Sequence, residues 1–119
     1  MRARYTDANL SAKLTKQLYP ELKPTAIIYP DDFSATGGIN ALRQMNLSIP
    51  DDVSVASFDG SIFSEITNPP LTCICQDIEK IGAALAEKLI KMIEEGDEST
   101  DTVTVEAKIR LTDSCRKIN

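Results

Sequence analysis

Three short apolar segments alternate along this chain with stretches of helical periodicity, and this alternation limits the fold more than any other feature. The segments are TAIIY at 25–29, VSVASF at 53–58 and LTCIC at 71–75, each with the composition of a strand. Because strands that alternate with helices join through right-handed crossovers, the sequence predicts an α/β fold. We expect a three-layer open sheet that is mostly parallel.

Apolar residues recur at helical spacing in three further stretches. The predicted helices cover 7–18, 33–46 and 78–93, the first capped by Thr6 or Asp7 and closed by Pro20 and Pro24, the last capped by Asp77 and stopped at Gly96. The apolar stripe of the last helix is expected to be a core face. Alternating residues at 102–111 predict a half-exposed strand.

The composition limits both size and partners. With 119 residues, 42% of them hydrophobic, the chain can bury one core but not two of ordinary size. Eighteen acidic and thirteen basic residues give a net charge of −5, without a basic run that could follow a phosphate backbone. No stretch approaches the roughly 18 apolar residues of a membrane span. We therefore expect neither nucleic-acid binding by this chain alone nor membrane association.

Histidine is absent, which removes the commonest general base and metal ligand. Cys73, Cys75 and Cys115 are an odd number without a disulfide framework, which indicates a reducing cytoplasm. A zinc site at Cys73 and Cys75 would need further ligands, so we expect small buried side chains there. The sequence predicts no enzyme activity, no cofactor and no metal.

Polar side chains stand at the predicted carboxyl ends of all three strands. Asp31 and Asp32 follow the first strand, Asp59 the second and Gln76 the third. Ligands of open α/β sheets bind outside these ends, where carboxylates and an amide suit the hydroxyl groups of a sugar. We expect Asp31 to face this crevice and Asp32 to cap the following helix.

Other roles for these aspartates remain open from residue type. Helix caps and turns explain them equally well, since aspartate is favoured in both. A phosphoacceptor receiver domain fits less well, because a glutamine stands where a lysine is needed and only one helix separates the acidic positions. A glycosidase would use two flanking carboxylates, a role that type alone leaves open to Asp31 and Asp59.

Two long runs of motifs resemble a known family. PTAIIYPDDFSATGGINALRQMNLSIPDDVSVASFDG and NPPLTCICQDIEKIGAALAEKLIKMIE resemble the C-terminal half of the effector-binding region of LacI/GalR-family transcriptional repressors, over about residues 24–111. The resemblance implies two lobes of the periplasmic-binding-protein type that close around a small effector, usually a sugar or nucleobase. It also implies a separate helix-turn-helix headpiece. By position it makes Asp31, Asp59 and Gln76 effector contacts, although YPDD and SFDG differ from the usual Asn-Asp and Phe-Asp-Asp.

The same resemblance implies that residues 1–119 are a partial C-terminal lobe without the headpiece and the N-terminal lobe. In the full-length protein the effector would switch operator affinity, and DNA would be bound only through the headpiece. A lobe of a sugar-binding transport receptor is the alternative, which a signal peptide encoded upstream would support.

The resemblance finally implies a homodimer. Its predicted contacts are Phe33, Thr36, Ile39 and Ile62, with the pair Gly37-Gly38 allowing close approach of the partner. An unpaired edge on TAIIY is a second surface that a partner chain could cover.

Overall fold

The computed structural model describes residues 6–96, 99 and 101–118. Its elements are α1 (Ala8–Leu22), β1 (Ala26–Ile28), α2 (Asp32–Gln44), β2 (Ser54–Asp59), α3 (Ile62–Ile66), β3 (Thr72–Cys75), α4 (Ile78–Glu94) and β4 (Lys108–Arg110). The strands form one sheet in the order β1-β2-β3-β4, in which β1 pairs with β2 and β2 with β3 in parallel. The predicted open, mostly parallel α/β sheet is therefore confirmed.

The chain divides into two compact units. Unit 1 comprises 1–75 and 109–119, and unit 2 comprises 76–108. The core of unit 1 is formed by one face of α2, the residue after β1 and the starts of β2 and β3. Its buried members are Tyr29, Ala35, Ile39, Leu42, Val53, Val55 and Leu71.

Close packing of α1 against α2 depends on two adjacent glycines. A Cβ atom on Gly37 would overlap the backbone of Ala8 in α1, and one on Gly38 would overlap the ring of Tyr29. The buried Tyr29 hydroxyl is 2.8 Å from Thr15 Oγ1 of α1. Burial raises the pKa of the Tyr29 phenol, which the hydrogen bond with Thr15 opposes. The predicted use of this glycine pair between subunits is wrong, because the space beside both glycines is filled within the chain.

The ends of several elements differ from the prediction. Asp7 caps α1 as predicted, but Pro20 lies inside this helix, which continues to Leu22. A proline this close to a helix end removes only one of the last hydrogen bonds. The segment before Pro69 contains the short helix α3, which is not among the predicted helices. Of the predicted strand 102–111, only Lys108–Arg110 is paired, because alternation becomes a strand only where a neighbouring strand offers hydrogen bonds.

The strand β1 is more exposed than its sequence indicates. Ile28 is 68% exposed, although Ile27 is partly buried and Tyr29, directly after the strand, is buried. The reason is that β1 stands first in the sheet order, and the described strands cover only one of its two edges.

Unit 2 consists mainly of α4. Asp77 caps this helix as predicted, accepting a hydrogen bond from Lys80 N at 3.1 Å and pairing with Lys80 Nζ at 2.9 Å. The hydrogen bonds from Lys80 lower the pKa of the Asp77 carboxyl. Ile78, Leu85 and Leu89 of this helix are exposed, and its expected role as a core face stays a prediction.

Candidate functional site

Asp31 caps α2. Its Oδ1 accepts a hydrogen bond from Ser34 N at 2.7 Å, and its Oδ2 accepts one from Ser34 Oγ at 2.7 Å. The side chain is 8% exposed. Asp31 therefore satisfies one of the free N–H groups at the helix start, which is the usual task of an aspartate at this position.

Asp32 is the first residue of α2, and it joins that helix to the carboxyl end of β2. Its Oδ1 accepts a hydrogen bond from Ser57 Oγ at 2.5 Å. Its Oδ2 accepts two more, from Ser61 N at 2.5 Å and Ser61 Oγ at 2.8 Å. The side chain is only 1% exposed, so this carboxylate is held by hydrogen bonds inside unit 1.

The prediction of which aspartate caps the helix is therefore wrong. Asp32 was expected to cap the helix, but Asp31 does so. The helix begins at Asp32, one residue earlier than predicted, and this shift moves the capping position back to Asp31. Both residues do lie beside the carboxyl end of the sheet, as the strand pattern predicted.

Asp59 ends β2 with an unusual backbone conformation. Its φ of +98° is followed by a φ of +75° at Gly60. Few residues other than glycine adopt positive φ, and such conformations cluster at functional sites. A Cβ atom on Gly60 would lie 2.6 Å from Cys75 Cβ, so the turn is pressed against β3. Asp59 is half-buried, and its partner in the strand register is Cys75.

The loop after Asp59 is fixed by the carboxylate of Asp32. Ser57 and Ser61 lie on either side of Asp59 in sequence, and both donate hydrogen bonds to Asp32. The structure thus brings Asp31, Asp32 and Asp59 to the edge of the sheet that is formed by the carboxyl ends of its strands. Gln76, the third predicted position, is exposed and is the first residue of unit 2.

Three aromatic side chains near this edge were not predicted as ligand contacts, although Phe33 was predicted as a dimer contact. Phe33, Phe58 and Phe63 are 40%, 39% and 36% exposed, which is high for phenylalanine. The rings of Phe33 and Phe63 meet edge to face, with centroids 5.2 Å apart. A sequence signal existed, because every phenylalanine of the chain lies within two residues of an aspartate or serine of this loop region. The edge therefore offers apolar ring surface as well as carboxylates.

The predicted dimer contacts differ in how far their side chains are exposed to solvent. Phe33 is 40% and Ile62 62% exposed, and Thr36 is partly exposed. Ile39 is 2% exposed and packs in the core of unit 1, so its assignment to a subunit contact is wrong. The helical period placed Ile39 on an apolar face correctly, but that face is turned toward the sheet.

A large groove in unit 1 extends from α1 to Pro30 and Ser34, next to Asp31. It encloses about 640 Å³ between α1 and β1 and is lined mainly by apolar side chains, among them Leu10, Leu14, Leu18, Ile27 and Ile28. It runs beside the uncovered edge of β1. Its apolar lining suits packing by protein better than binding of a hydroxyl-rich ligand.

In the part of the chain that the structure describes, no three or more cysteine, aspartate or glutamate side chains are grouped so that they could hold a metal ion. Across the described ranges, none of the helices combines the length and apolar character needed to cross a bilayer.

The chain is similar to known proteins along most of its length. Residues 2–115 match the family of periplasmic binding protein-like domains. The chain is 31% identical over 97 residues to the HTH-type transcriptional repressor PurR of Vibrio vulnificus, covering 82% of this chain and 29% of the relative. It is 32% identical over 92 residues to the ribose operon repressor of Haemophilus influenzae, covering 77% of this chain and 28% of the relative.

A solved structure gives the same indication. A LacI family transcriptional regulator from Lactobacillus casei with bound sucrose superposes with a TM-score of 0.77 at 25% identity, covering 91% of this chain and 40% of that one. The chain thus spans less than a third of the length of these curated relatives.

Proposed function

We propose, from the premise that this chain belongs to the periplasmic binding protein-like domain family, that it forms part of the effector site of a LacI/GalR-type transcriptional repressor. The resemblance to LacI/GalR-family regulators is confirmed by the match to transcriptional repressors. In this proposal the chain contributes one wall of the ligand site and part of a dimer surface. Operator DNA is bound by a headpiece outside these 119 residues.

The position and backbone conformation of Asp59 are the main support for this proposal. It stands at the carboxyl end of a parallel strand, where ligands of open α/β sheets bind. Its positive φ is maintained between two serines that Asp32 holds, so the turn is positioned before any ligand arrives. Preorganised polar groups lose less entropy on binding, which favours affinity. Asp31 contributes less to ligand binding in this proposal, because Ser34 already donates hydrogen bonds to both of its carboxylate oxygens.

The ligand class follows from the groups at this edge. A carboxylate accepts hydrogen bonds from hydroxyl groups, and exposed phenylalanine rings can cover the apolar face of a pyranose or a nucleobase. Phe58 directly precedes Asp59, and 39% of it is exposed. These features support a small polar effector, with a sugar as the first choice. Gln76 remains a predicted contact from its position in the sequence.

The proposed switch belongs to the full-length protein. An effector changes operator affinity only by as much as it binds one arrangement of the protein better than another. This role involves no catalysis and no cofactor, and it places the protein in the cytoplasm with its operator.

The test is a substitution at Asp59 in the full-length protein. Asp59→Asn keeps the size of the side chain and tolerates positive φ, while it removes the charged acceptor. We expect Asp59→Asn to weaken effector binding by at least roughly tenfold, and Asp59→Ala by more. Titration calorimetry with sucrose, ribose, other common sugars and a purine base would measure the affinities.

The matched control is Asp51→Asn, an exposed aspartate near the opposite end of β2. It should leave the affinity unchanged. Equal affinity of wild type and both Asp59 variants, with folded structure retained, would contradict the assignment of the site. Failure of every sugar to bind wild type would contradict the ligand class.

A further inference from the structure

Two cysteines on β3 lie close enough to react with each other. Cys73 Sγ and Cys75 Sγ are 3.0 Å apart, and neither residue takes part in a disulfide. Sulfur atoms in a disulfide are about 2.0 Å apart, so the pair needs an approach of about 1 Å. Cys73 is 1% exposed, whereas Cys75 is partly exposed. A small oxidant therefore reaches Cys75 first.

A guanidinium group belongs to the same cluster. Arg110 donates a hydrogen bond from Nη1 to Glu65 Oε1 at 2.7 Å and another from Nη2 to Ser64 Oγ. Among the described residues, its Nε is the buried side-chain nitrogen or oxygen left without a hydrogen-bond partner. The charge of Arg110 favours ionisation of Cys73, which indicates that it lies near the sulfurs. A nearby cation and a spare donor stabilise the negative charge that develops when a thiol is oxidised.

The two sulfurs are not equivalent. Burial, followed by the hydrogen bond and charge of Cys75, raises the pKa of Cys73 to about 11. Cys73 is therefore a neutral thiol at pH 7, so the more exposed Cys75 reacts with the oxidant first, and Cys73 reacts in the second step as it loses its proton.

The strand geometry determines how stable a bond between them would be. In an extended strand, the Cβ atoms of residues i and i+2 lie on the same side and are about 6.6 Å apart, which is twice the rise per residue. The Cβ atoms of a disulfide are only about 3.5–4.5 Å apart. The end of β3 must bend to bring Cys75 closer, and Cys75 is the last residue of this strand. A strained disulfide is reduced more easily than a relaxed one, so this bond would be labile. Its formation would also move the register partner of Asp59.

We propose that Cys73 and Cys75 form a reversible oxidation site, in which a hydroperoxide converts the two thiols into an intrachain disulfide. The Cys75 thiolate attacks a peroxide oxygen, the O–O bond breaks, a sulfenic acid forms, and the hydroxide or alkoxide that leaves takes a proton from solvent to become water or an alcohol. The Cys73 thiol then attacks the sulfenic sulfur, the S–S bond forms, the S–O bond breaks, and the hydroxide that leaves departs as water with the Cys73 proton. A dithiol reductant reverses the change.

Peptide mapping of the oxidised chain tests this proposal. Trypsin cleaves after Arg43 and Lys80 and nowhere between, so one peptide contains both cysteines, while Cys115 lies on another. After hydrogen peroxide treatment of the folded chain, peptide 44–80 should lose two hydrogens and resist alkylation, and dithiothreitol should restore both thiols. Because the fold holds the sulfurs together, the reaction should be severalfold faster in buffer than in urea.

Cysteine-to-serine variants distinguish a bond between Cys73 and Cys75 from other reactions of the thiols. Cys115→Ser should oxidise like wild type, whereas Cys75→Ser should leave Cys73 unable to form the intrachain bond. Oxidation that stops at sulfenic or sulfinic acid would overturn the proposal. So would a bond to Cys115, a bond between two chains, or a rate that is equal in urea.

Discussion

Two adjacent aspartates of this chain have different structural tasks, although residue type does not distinguish them. Asp31 caps α2 locally, through Ser34 three residues away. Asp32 binds Ser57 and Ser61, which lie 25 and 29 residues along the chain. The cap follows from local geometry, whereas the second aspartate needs the sheet to bring its partners near. Asp32 therefore joins helix, strand and loop beside Asp59, while Asp31 stabilises the start of the helix.

Asp32→Ala tests this joining role. The substitution leaves the buried donors of Ser57 and Ser61 without their acceptor, which costs more than the loss of an exposed hydrogen bond. We expect the free energy of unfolding to fall by about 2–4 kcal/mol, measured by urea denaturation followed by circular dichroism. Asp51→Ala, at an exposed aspartate, is the control and should change it by less than about 0.5 kcal/mol. A similar small change for Asp32→Ala would show that its hydrogen bonds contribute little.

At the scale of elements, the contact between α1 and α2 explains a pair of glycines that weakens a helix. Glycine within a helix costs roughly 0.5–1 kcal/mol relative to alanine, so Gly37-Gly38 is unfavourable for α2 alone. The neighbouring backbone of Ala8 and ring of Tyr29 leave no room for a Cβ atom. Packing between elements therefore outweighs helix propensity at these positions.

Two glycine-to-alanine substitutions separate packing from propensity. Gly37→Ala forces α1 away from α2 and should destabilise the chain by about 1–3 kcal/mol, despite the gain in helix propensity. Gly82→Ala in α4 meets no atom within 4 Å and should increase helix content or stability slightly. Thermal unfolding followed by circular dichroism distinguishes the two. Stabilisation by both substitutions would mean that α1 does not pack against Gly37 in solution.

At the scale of the whole molecule, two surfaces offer sites for association. One is the helical surface, which contains Phe33 and Ile62, the two predicted dimer contacts that are exposed. It also contains Thr36, a predicted contact that is partly exposed. The other is the uncovered edge of β1, where Ile28 is 68% exposed beside an apolar groove. Strand edges with apolar side chains are templates for pairing with another chain.

We expect this chain to form a dimer or a larger assembly at roughly tens of micromolar, the range of weak protein association. Ile62→Glu should dissociate the assembly if the helical surface mediates it, and Ile28→Lys if the edge of β1 does. Ile118→Lys, at another exposed isoleucine, is the control. Sedimentation velocity measures the masses. A monomer for the wild-type chain across this range would contradict association through either surface.

The sequence by itself determined the α/β class, the mostly parallel direction of the strands, the cap at Asp77, and the edge at which Asp31, Asp32 and Asp59 meet, while it left the cap of α1 open between Thr6 and Asp7. These features depend on local periods of two and 3.6 residues, on capping and on the direction of parallel strands. Sequence motifs also identified the family, because their order over most of the chain is specific.

Only the tertiary structure decided which aspartate caps α2, that Ile39 belongs to the core, that Gly37 and Gly38 accommodate α1 and Tyr29, and that Cys73 and Cys75 approach to 3.0 Å. Each outcome depends on where side chains point and on contacts between residues distant in sequence. Hydrophobic periodicity identifies an apolar face of a helix, but whether that face meets a sheet or another subunit depends on the surfaces assembled around it.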